Sequence, residues 1–253
     1  MNLKDIPAIV TGGASGLGEA SARLLAENGA KVSIFDVQIE KAEQVAKDIG
    51  GLAVSCDVTS SESAEQAFAA AREAHGACGI AINCAGIGMP AKILGKDGPL
   101  ALDFFNKIIT VNLSGSFNIM RLAAAEMQNR EPNADGERGV IISTASVAAY
   151  EGQIGQAAYS ASKGGIVSMT LPAARELARY GIRVLAIAPG LFMTPMLAAL
   201  PEAAQESLAA TLPFPARLGQ PYEYARIVKE MVENPILNGE VIRIDSALRM
   251  APR

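Results

Sequence analysis

The sequence predicts an α/β fold, one domain built on a doubly wound, seven-stranded parallel sheet with helices on both faces. Three observations predict it. Short runs rich in β-branched and other apolar residues alternate along the chain with segments whose apolar residues recur at helical spacing. No Pro/Ser-rich linker or abrupt change of composition divides residues 1–253. A glycine cluster directly follows the first apolar run, where a parallel sheet turns its first strand into a crossover helix.

Each element can be justified in order. The first strand is IPAIV, ending at Val10, after which Leu17, Ala20, Leu24 and Leu25 mark one face of a helix stopped by Asn28-Gly29. KVSIF is the second strand. Ile39, Ala42, Val45, Ala46 and Ile49 then repeat at helical spacing, and LAVSC is the third strand. Thr59 and Glu62 have capping-box spacing and open a helix expected to end near His75, before the fourth strand, GIAIN. From about Asp103 to Gln128 the apolar period is helical, EPNADGERG reads as a surface loop, and GVIIS is the fifth strand. A helix from about Ala157 to Tyr180 leads into the sixth strand, IRVLAIA. Beyond Pro189-Gly190 the pattern is irregular, with short helices through about Glu233, until GEVIRI closes the sheet. Residues 191–215, rich in Ala, Leu, Met and Phe, suit either an apolar substrate lid or an ordinary packed helix pair.

Composition excludes several functions. Half the residues are hydrophobic and 19% are charged, which rules out disorder, and a chain of 253 residues buries about 70% of its unfolded surface without staples. A net charge of −4 argues against nonspecific binding to nucleic acid or to an anionic membrane. The single histidine, His75, cannot supply a cluster of metal ligands, and Gly76 beside it suggests a helix C-terminus instead of a hydrolase triad. Cys56, Cys78 and Cys84 are odd in number and widely spaced, so neither a disulfide framework nor a zinc site is expected. The uncharged stretch 184–201 is broken by Pro189, Gly190 and Pro195, and the N-terminus has no signal-peptide pattern, so the expected location is the cytoplasm. The low charged fraction also suggests that apolar helix faces, around 106–128 and 158–180, are covered by other subunits.

Two clusters carry chemistry. In TGGASGLG, Gly12, Gly16 and Gly18 let the backbone turn sharply and approach a pyrophosphate at the N-terminal end of the next helix. Asp36 ends the second strand, where a carboxylate can accept both ribose hydroxyl protons and repel a 2′-phosphate; no Arg or Lys immediately follows it, which favours NAD. A glycine loop with such an acid also suits an S-adenosylmethionine methyltransferase, so more is needed to decide. In IISTASVAAYEGQIGQAAYSASKGG, Tyr159 and Lys163 are four apart on one helix face, and Ser146 lies just beyond a strand end. A free tyrosine, with a pKa near 10, is a poor proton carrier at neutral pH, whereas an adjacent ammonium and a positive nicotinamide stabilise its phenolate.

TGxxxGxG, Asn83-Cys84-Ala85-Gly86, Asn112, Ser146, YSASK and Pro189-Gly190, in this order and spacing, resemble the short-chain dehydrogenase/reductase family along essentially the whole chain. The resemblance implies a Rossmann fold that binds NAD, with Tyr159 as general acid/base, Ser146 orienting the substrate oxygen, and Lys163 holding the nicotinamide ribose while lowering the tyrosine pKa. Asn112 would help hold a proton-relay water. Cofactor contacts carry over to Gly12, Ser15, Gly16, Leu17 and Gly18, to Asp36, to Asp57 and Val58 around adenine, to Cys84 and Gly86, to Tyr159 and Lys163, and to Phe192 and Thr194. Cys84 stands where many members have asparagine, so its contact is expected through the backbone. TASVAAYEGQIGQAAYSASKGGIV, IRVLAIAPGLFMTP and NPILNGEVIRIDSALRM are similar to the branch of the family that oxidises the 3-hydroxyl of acyl-CoAs in fatty acid metabolism. That implies a 3-hydroxyacyl-CoA substrate, contact with it from Gln153 as well as from Ser146 and Tyr159, and a homotetramer. A secondary-alcohol or hydroxysteroid dehydrogenase acting without CoA is the alternative. Lys92 and Lys96 either meet the phosphates of CoA or are solvated surface charges.

Overall fold

Successive side chains of a strand point to opposite faces, and here both faces are apolar. In strand β1 (Pro7–Thr11), Ala8 and Val10 join one core layer while Ile9 joins the other. Strands β2 (Lys31–Asp36), β3 (Leu52–Ser55) and β4 (Ile80–Asn83) follow. A two-residue hairpin, β5 (Leu94–Gly95) with β6 (Gly98–Pro99), interrupts the series before β7 (Gly139–Thr144), β8 (Ile182–Pro189) and β9 (Val241–Ile244). The computed structural model describes every residue except Asp97, Ala199, Leu200 and Arg253.

Helices α1 (Gly16–Glu27), α2 (Ile39–Ile49) and α9 (Pro221–Glu233) bury their apolar faces on one side of the sheet. On the other side lie α3 (Ser61–His75), α5 (Gly115–Met127) and α6 (Ala157–Leu177). The seven strands are all parallel, in the order β3-β2-β1-β4-β7-β8-β9, as the sequence predicts. Connections run outward in opposite directions from β1 and β4, so a crevice opens beyond their C-terminal ends, where Thr11 pairs with Asn83.

Two local expectations need correction. The third helix is capped one residue later than Thr59 and Glu62 suggest: Ser60 Oγ accepts from the Ser63 amide at 3.2 Å, while Thr59 bonds Asp57. Ser60 has Ser63 instead of a glutamate three residues on, so no capping-box spacing announces it, although its hydroxyl accepts the bond equally well. The helix expected over 103–128 keeps helical dihedrals but contains a π turn at Thr110–Ser114 between α4 (Leu102–Ile109) and α5. The hairpin has no apolar alternation to announce it. In the 191–215 segment, α7 (Pro195–Ala198) and α8 (Glu202–Ala209) form, while Ala199 and Leu200 lie outside the described residues. Leu212 packs with Leu218 and Leu248 in a small separate core, so this segment rests on the C-terminal residues. No helix among the described residues is long and apolar enough to cross a membrane, and none of their acidic, His and Cys side chains gather into a metal site.

Candidate active site

The glycine loop is held against the loop after β4. Gly12 has φ of +65°, and a Cβ there would stand 2.7 Å from the Ala85 amide nitrogen. At Gly18 a Cβ would collide with the Gly12 carbonyl oxygen, so the start of α1 touches the loop backbone. Ser15 precedes α1 in an extended conformation and makes no cap bond with its side chain. Leu17 packs against the core below, and the Gly16 Cβ position lies 3.8 Å from Thr194 Cγ2 across the crevice. Thr11, which sequence reasoning missed, braces the floor: its Oγ1 accepts from the Cys84 and Ala85 amides at 3.2 and 3.1 Å.

Asp36 is buried at the end of β2. Its carboxylate accepts from the Ala14 amide at 3.1 Å and the Gln38 amide at 2.9 Å, so it shapes the glycine loop as well as facing it. Asp57 Oδ1 accepts from both the amide and the hydroxyl of Thr59, and Val58 is buried with its carbonyl bonded to Asn118 Nδ2. Cys84 directs its sulfur away from the crevice, toward Thr144 Oγ1 at 3.4 Å and Tyr224 Oη at 3.8 Å, which leaves its backbone facing the site. Burial raises the Cys84 thiol, opposed by hydrogen bonds from Thr144 and Tyr224. Phe192 likewise turns its ring into the core, edge-on to Tyr224 with centroids 6.3 Å apart.

Ser146, Tyr159 and Lys163 converge beyond the ends of β7 and β4. Ser146 Oγ is fixed by the Ala148 amide at 3.1 Å and faces the Tyr159 phenol, whose pKa it acts to lower. Lys163 is buried, donates from Nζ to the Thr144 carbonyl at 2.7 Å, and lies 5.8 Å from the centre of the Tyr159 ring. The loop after β4 closes over them: a Cβ on Gly86 would stand 3.6 Å from Lys163 Nζ, and one on Gly88 would stand 3.4 Å from the Tyr159 ring. Burial pushes the Lys163 ammonium down to about 8. The Tyr159 phenol is raised, because desolvation outweighs the effect of Ser146, whereas the sequence argument expects the ammonium to lower it. Lys163 lies against the ring and donates its hydrogen bond to the Thr144 carbonyl, so its effect on the phenol oxygen is through space.

Asn112 sits in the π turn, fully buried. Its Oδ1 accepts from the Ile87 amide at 2.8 Å, and its Nδ2 donates to the Ile87 carbonyl at 2.9 Å and to Ser162 Oγ at 3.0 Å. It therefore clamps the loop after β4 to the helix that carries Tyr159. Beneath Lys163 runs a chain that sequence reasoning missed, with Thr144 Oγ1 2.7 Å from the phenol of the buried Tyr224. A threonine closing a strand and one of two tyrosines on an amphipathic helix gave no signal of meeting. Gln153 donates to the Ala251 carbonyl at 3.0 Å, while Lys92 and Lys96 are exposed beside the hairpin. His75 ends α3 as expected, where its Nδ1 is 3.1 Å from Ser33 Oγ; burial lowers its pKa.

Residues 7–205 match the short chain dehydrogenase family. The chain belongs to that family. It is 52% identical to 3-hydroxyacyl-CoA dehydrogenase type-2 of Drosophila melanogaster over 99% of this chain and 100% of that protein. The human protein of the same name is also 52% identical, over 99% of this chain and 98% of its own. A crystal structure of 3-hydroxyacyl-CoA dehydrogenase type-2 from Mycobacterium avium superposes with a TM-score of 0.94 at 41% identity, each chain covered in full (100% and 100%). 3-Ketoacyl-(acyl-carrier-protein) reductase from Brucella melitensis, complexed with NADH, superposes with a TM-score of 0.86 at 29% identity, over 98% of this chain and 100% of that one. As a short-chain dehydrogenase this protein is an oxidoreductase, and the family's cofactor is a nicotinamide dinucleotide.

Proposed function

We propose that the protein oxidises the 3-hydroxyl of a 3-hydroxyacyl-CoA to the ketone, with NAD as its cofactor. The observation that carries this reading is the convergence of Ser146, Tyr159 and Lys163 at the crevice mouth. The 52% identity to 3-hydroxyacyl-CoA dehydrogenase type-2 supports the acyl-CoA substrate.

The crevice fits the cofactor. Its backbone comes close at Gly12 and Gly18, where a side chain would not fit, and Asp36 supplies acceptors at the end of β2. Gly12, Ser15, Gly16, Leu17 and Gly18 would hold the pyrophosphate side, Asp36 the adenosine ribose, and Asp57 and Val58 the adenine. The backbones of Cys84, Gly86 and Phe192, together with Thr194, Tyr159 and Lys163, would hold the remainder. When bound, NAD supplies the acceptor for the substrate's hydride.

The residues of this chain handle the proton. Ser146 Oγ, fixed by Ala148, orients the substrate hydroxyl and hydrogen-bonds its oxygen. Tyr159 Oη takes the hydroxyl proton, and the Lys163 ammonium stabilises the phenolate that results. Asn112 holds the loop after β4 in register with the proton pathway. Gln153 and the 191–215 segment bound the acyl side, and Lys92 and Lys96 meet the CoA phosphates. The assembly is a homotetramer in which the helices around 106–128 and 158–180, where Phe117 and Leu171 are exposed, pair subunits into dimers and the C-terminal regions pair the dimers. The three free cysteines suit a reducing compartment such as the cytoplasm.

Steady-state reduction of NAD and NADP with short, branched and long 3-hydroxyacyl-CoAs, free secondary alcohols and hydroxysteroids tests the reading. The CoA esters with NAD should give the highest kcat/KM. A free alcohol or steroid that outperforms every CoA ester would replace the substrate assignment.

A further inference from the structure

The loop between Ser146 and Tyr159 is fastened to the last residues of the chain. Ile154 donates its amide to the Pro252 carbonyl at 3.0 Å, and Gln153 Nε2 donates to the Ala251 carbonyl at 3.0 Å. One arginine at the end of the sheet gathers both partners. Arg243, on β9, grips Glu151 with two parallel bonds of 2.8 and 2.9 Å. The same guanidinium bonds Asp245 Oδ2 at 2.9 and 2.6 Å and the Leu248 carbonyl at 3.1 Å, and lies 5.2 Å from the centre of the Tyr150 ring. Arg249 adds contacts to Asp245 at 3.2 Å and Glu151 at 3.5 Å. Ser246 and Ala247 take left-handed dihedrals, with φ of 53° and 61°, which turn the chain back so that Leu248 is buried. Left-handed backbone at residues other than glycine is costly, and it persists where surrounding contacts dictate it.

We infer that Arg243 is a positioning residue for the substrate: it locks residues 248–252 onto the 150–156 loop and thereby fixes where Gln153 stands. This rests on the reading that Gln153 borders the acyl group. Ser146 and Tyr159 have separate anchors, in the Ala148 amide and in α6, so freeing the loop leaves the proton-handling groups in place. The fork matters as well as the charge. A lysine is a point charge and cannot hold Glu151 and Asp245 in a fixed plane.

The experiment uses full-length protein carrying Arg243→Met, Arg243→Lys or Glu151→Gln. For Arg243→Met, KM for the acyl-CoA should rise at least about fivefold while kcat and KM for NAD stay within about twofold. Arg243→Lys should recover part of the loss. Hydrogen exchange at the Ile154 amide should accelerate in Arg243→Met, a readout that needs no turnover. Glu151→Gln keeps the side chain's size and should show the same pattern, which serves if Arg243→Met does not fold. Unchanged acyl-CoA KM and unchanged Ile154 exchange would overturn the inference, as would an equal loss of kcat and of affinity for both substrates. Failure of the underlying reading looks different: Tyr159→Phe would then keep its turnover, or no CoA ester would be oxidised by the unmodified protein.

Discussion

At the N-terminal end of β8, Arg183 bonds Glu137 at 2.8 Å and the carbonyls of Met231, Val232, Asn234 and Leu237 at the end of α9 and beyond it. At the opposite end of the sheet, Lys163 is just as buried but makes one hydrogen bond, to Thr144, with no second acceptor among the described residues. An arginine with its donors used is part of the scaffold, since a helix C-terminus favours a cation and the buried carboxylate needs one. An ammonium with donors to spare belongs to a surface that completes itself around a ligand. Polar groups at the two ends of one sheet therefore differ in what their loss removes: stability at one end, chemistry at the other.

The sharpest way to break this contrast is Tyr159→Phe. Removal of one hydroxyl should lower kcat/KM at least about 1000-fold, on the order of 4 kcal/mol, while the thermal midpoint stays near that of the unmodified protein. Substantial turnover would refute the assignment of the phenol. Arg183→Met should do the reverse. Glu137 would keep the Asn133 amide at 3.2 Å and the Met1 ammonium at 3.3 Å but lose its guanidinium, and urea denaturation should show a loss on the order of 3 kcal/mol with KM values of the folded enzyme unchanged. A normal midpoint with impaired catalysis would invert the two roles.

A third comparison uses pH. Burial holds Lys163 at about 8 in the folded protein against an ordinary value of 10.5, so between these values the unfolded chain carries the extra proton. The contribution of Lys163 to stability must then rise with pH across that window and stay flat below it. Measured against Lys163→Met, the unmodified protein should gain stability from about pH 8 to 10.5, and a flat difference would show that the lysine is not desolvated. The smallest effect concerns cofactor choice. Asp36→Ala with Val37→Arg should reduce the NAD:NADP ratio of kcat/KM by about tenfold, because Val37 is exposed next to the carboxylate. Equal use of both cofactors by the unmodified enzyme would remove Asp36 from that role.

What the sequence made legible was local. Tyr159 and Lys163 share a helix face by spacing, the glycine loop follows its strand, and alternating apolar runs give a parallel sheet buried on both sides. What it hid depends on distant meetings: Thr144 with Tyr224 are 80 residues apart, and Glu151 with Arg243 are 92 apart. No periodicity reports such pairs. Ser60 instead of Thr59 as the cap shows the same limit at short range, since either hydroxyl has the right chemistry and only the loop's path selects one.

The π turn at Thr110–Ser114 has a consequence for phase. Nineteen steps separate Ile108 from Met127, both fully buried, and an unbroken α-helix would rotate them roughly 100° apart. One wide turn absorbs about one residue and brings both back to the same side. The segment thus works as a vernier between two packing surfaces, set by a count of residues instead of by any one side chain. A single deletion between Thr110 and Ser114 would leave eighteen steps of regular helix, about five full turns, and so keep α4 and α5 in phase; what it would remove is the wide turn that presents Asn112 to Ile87.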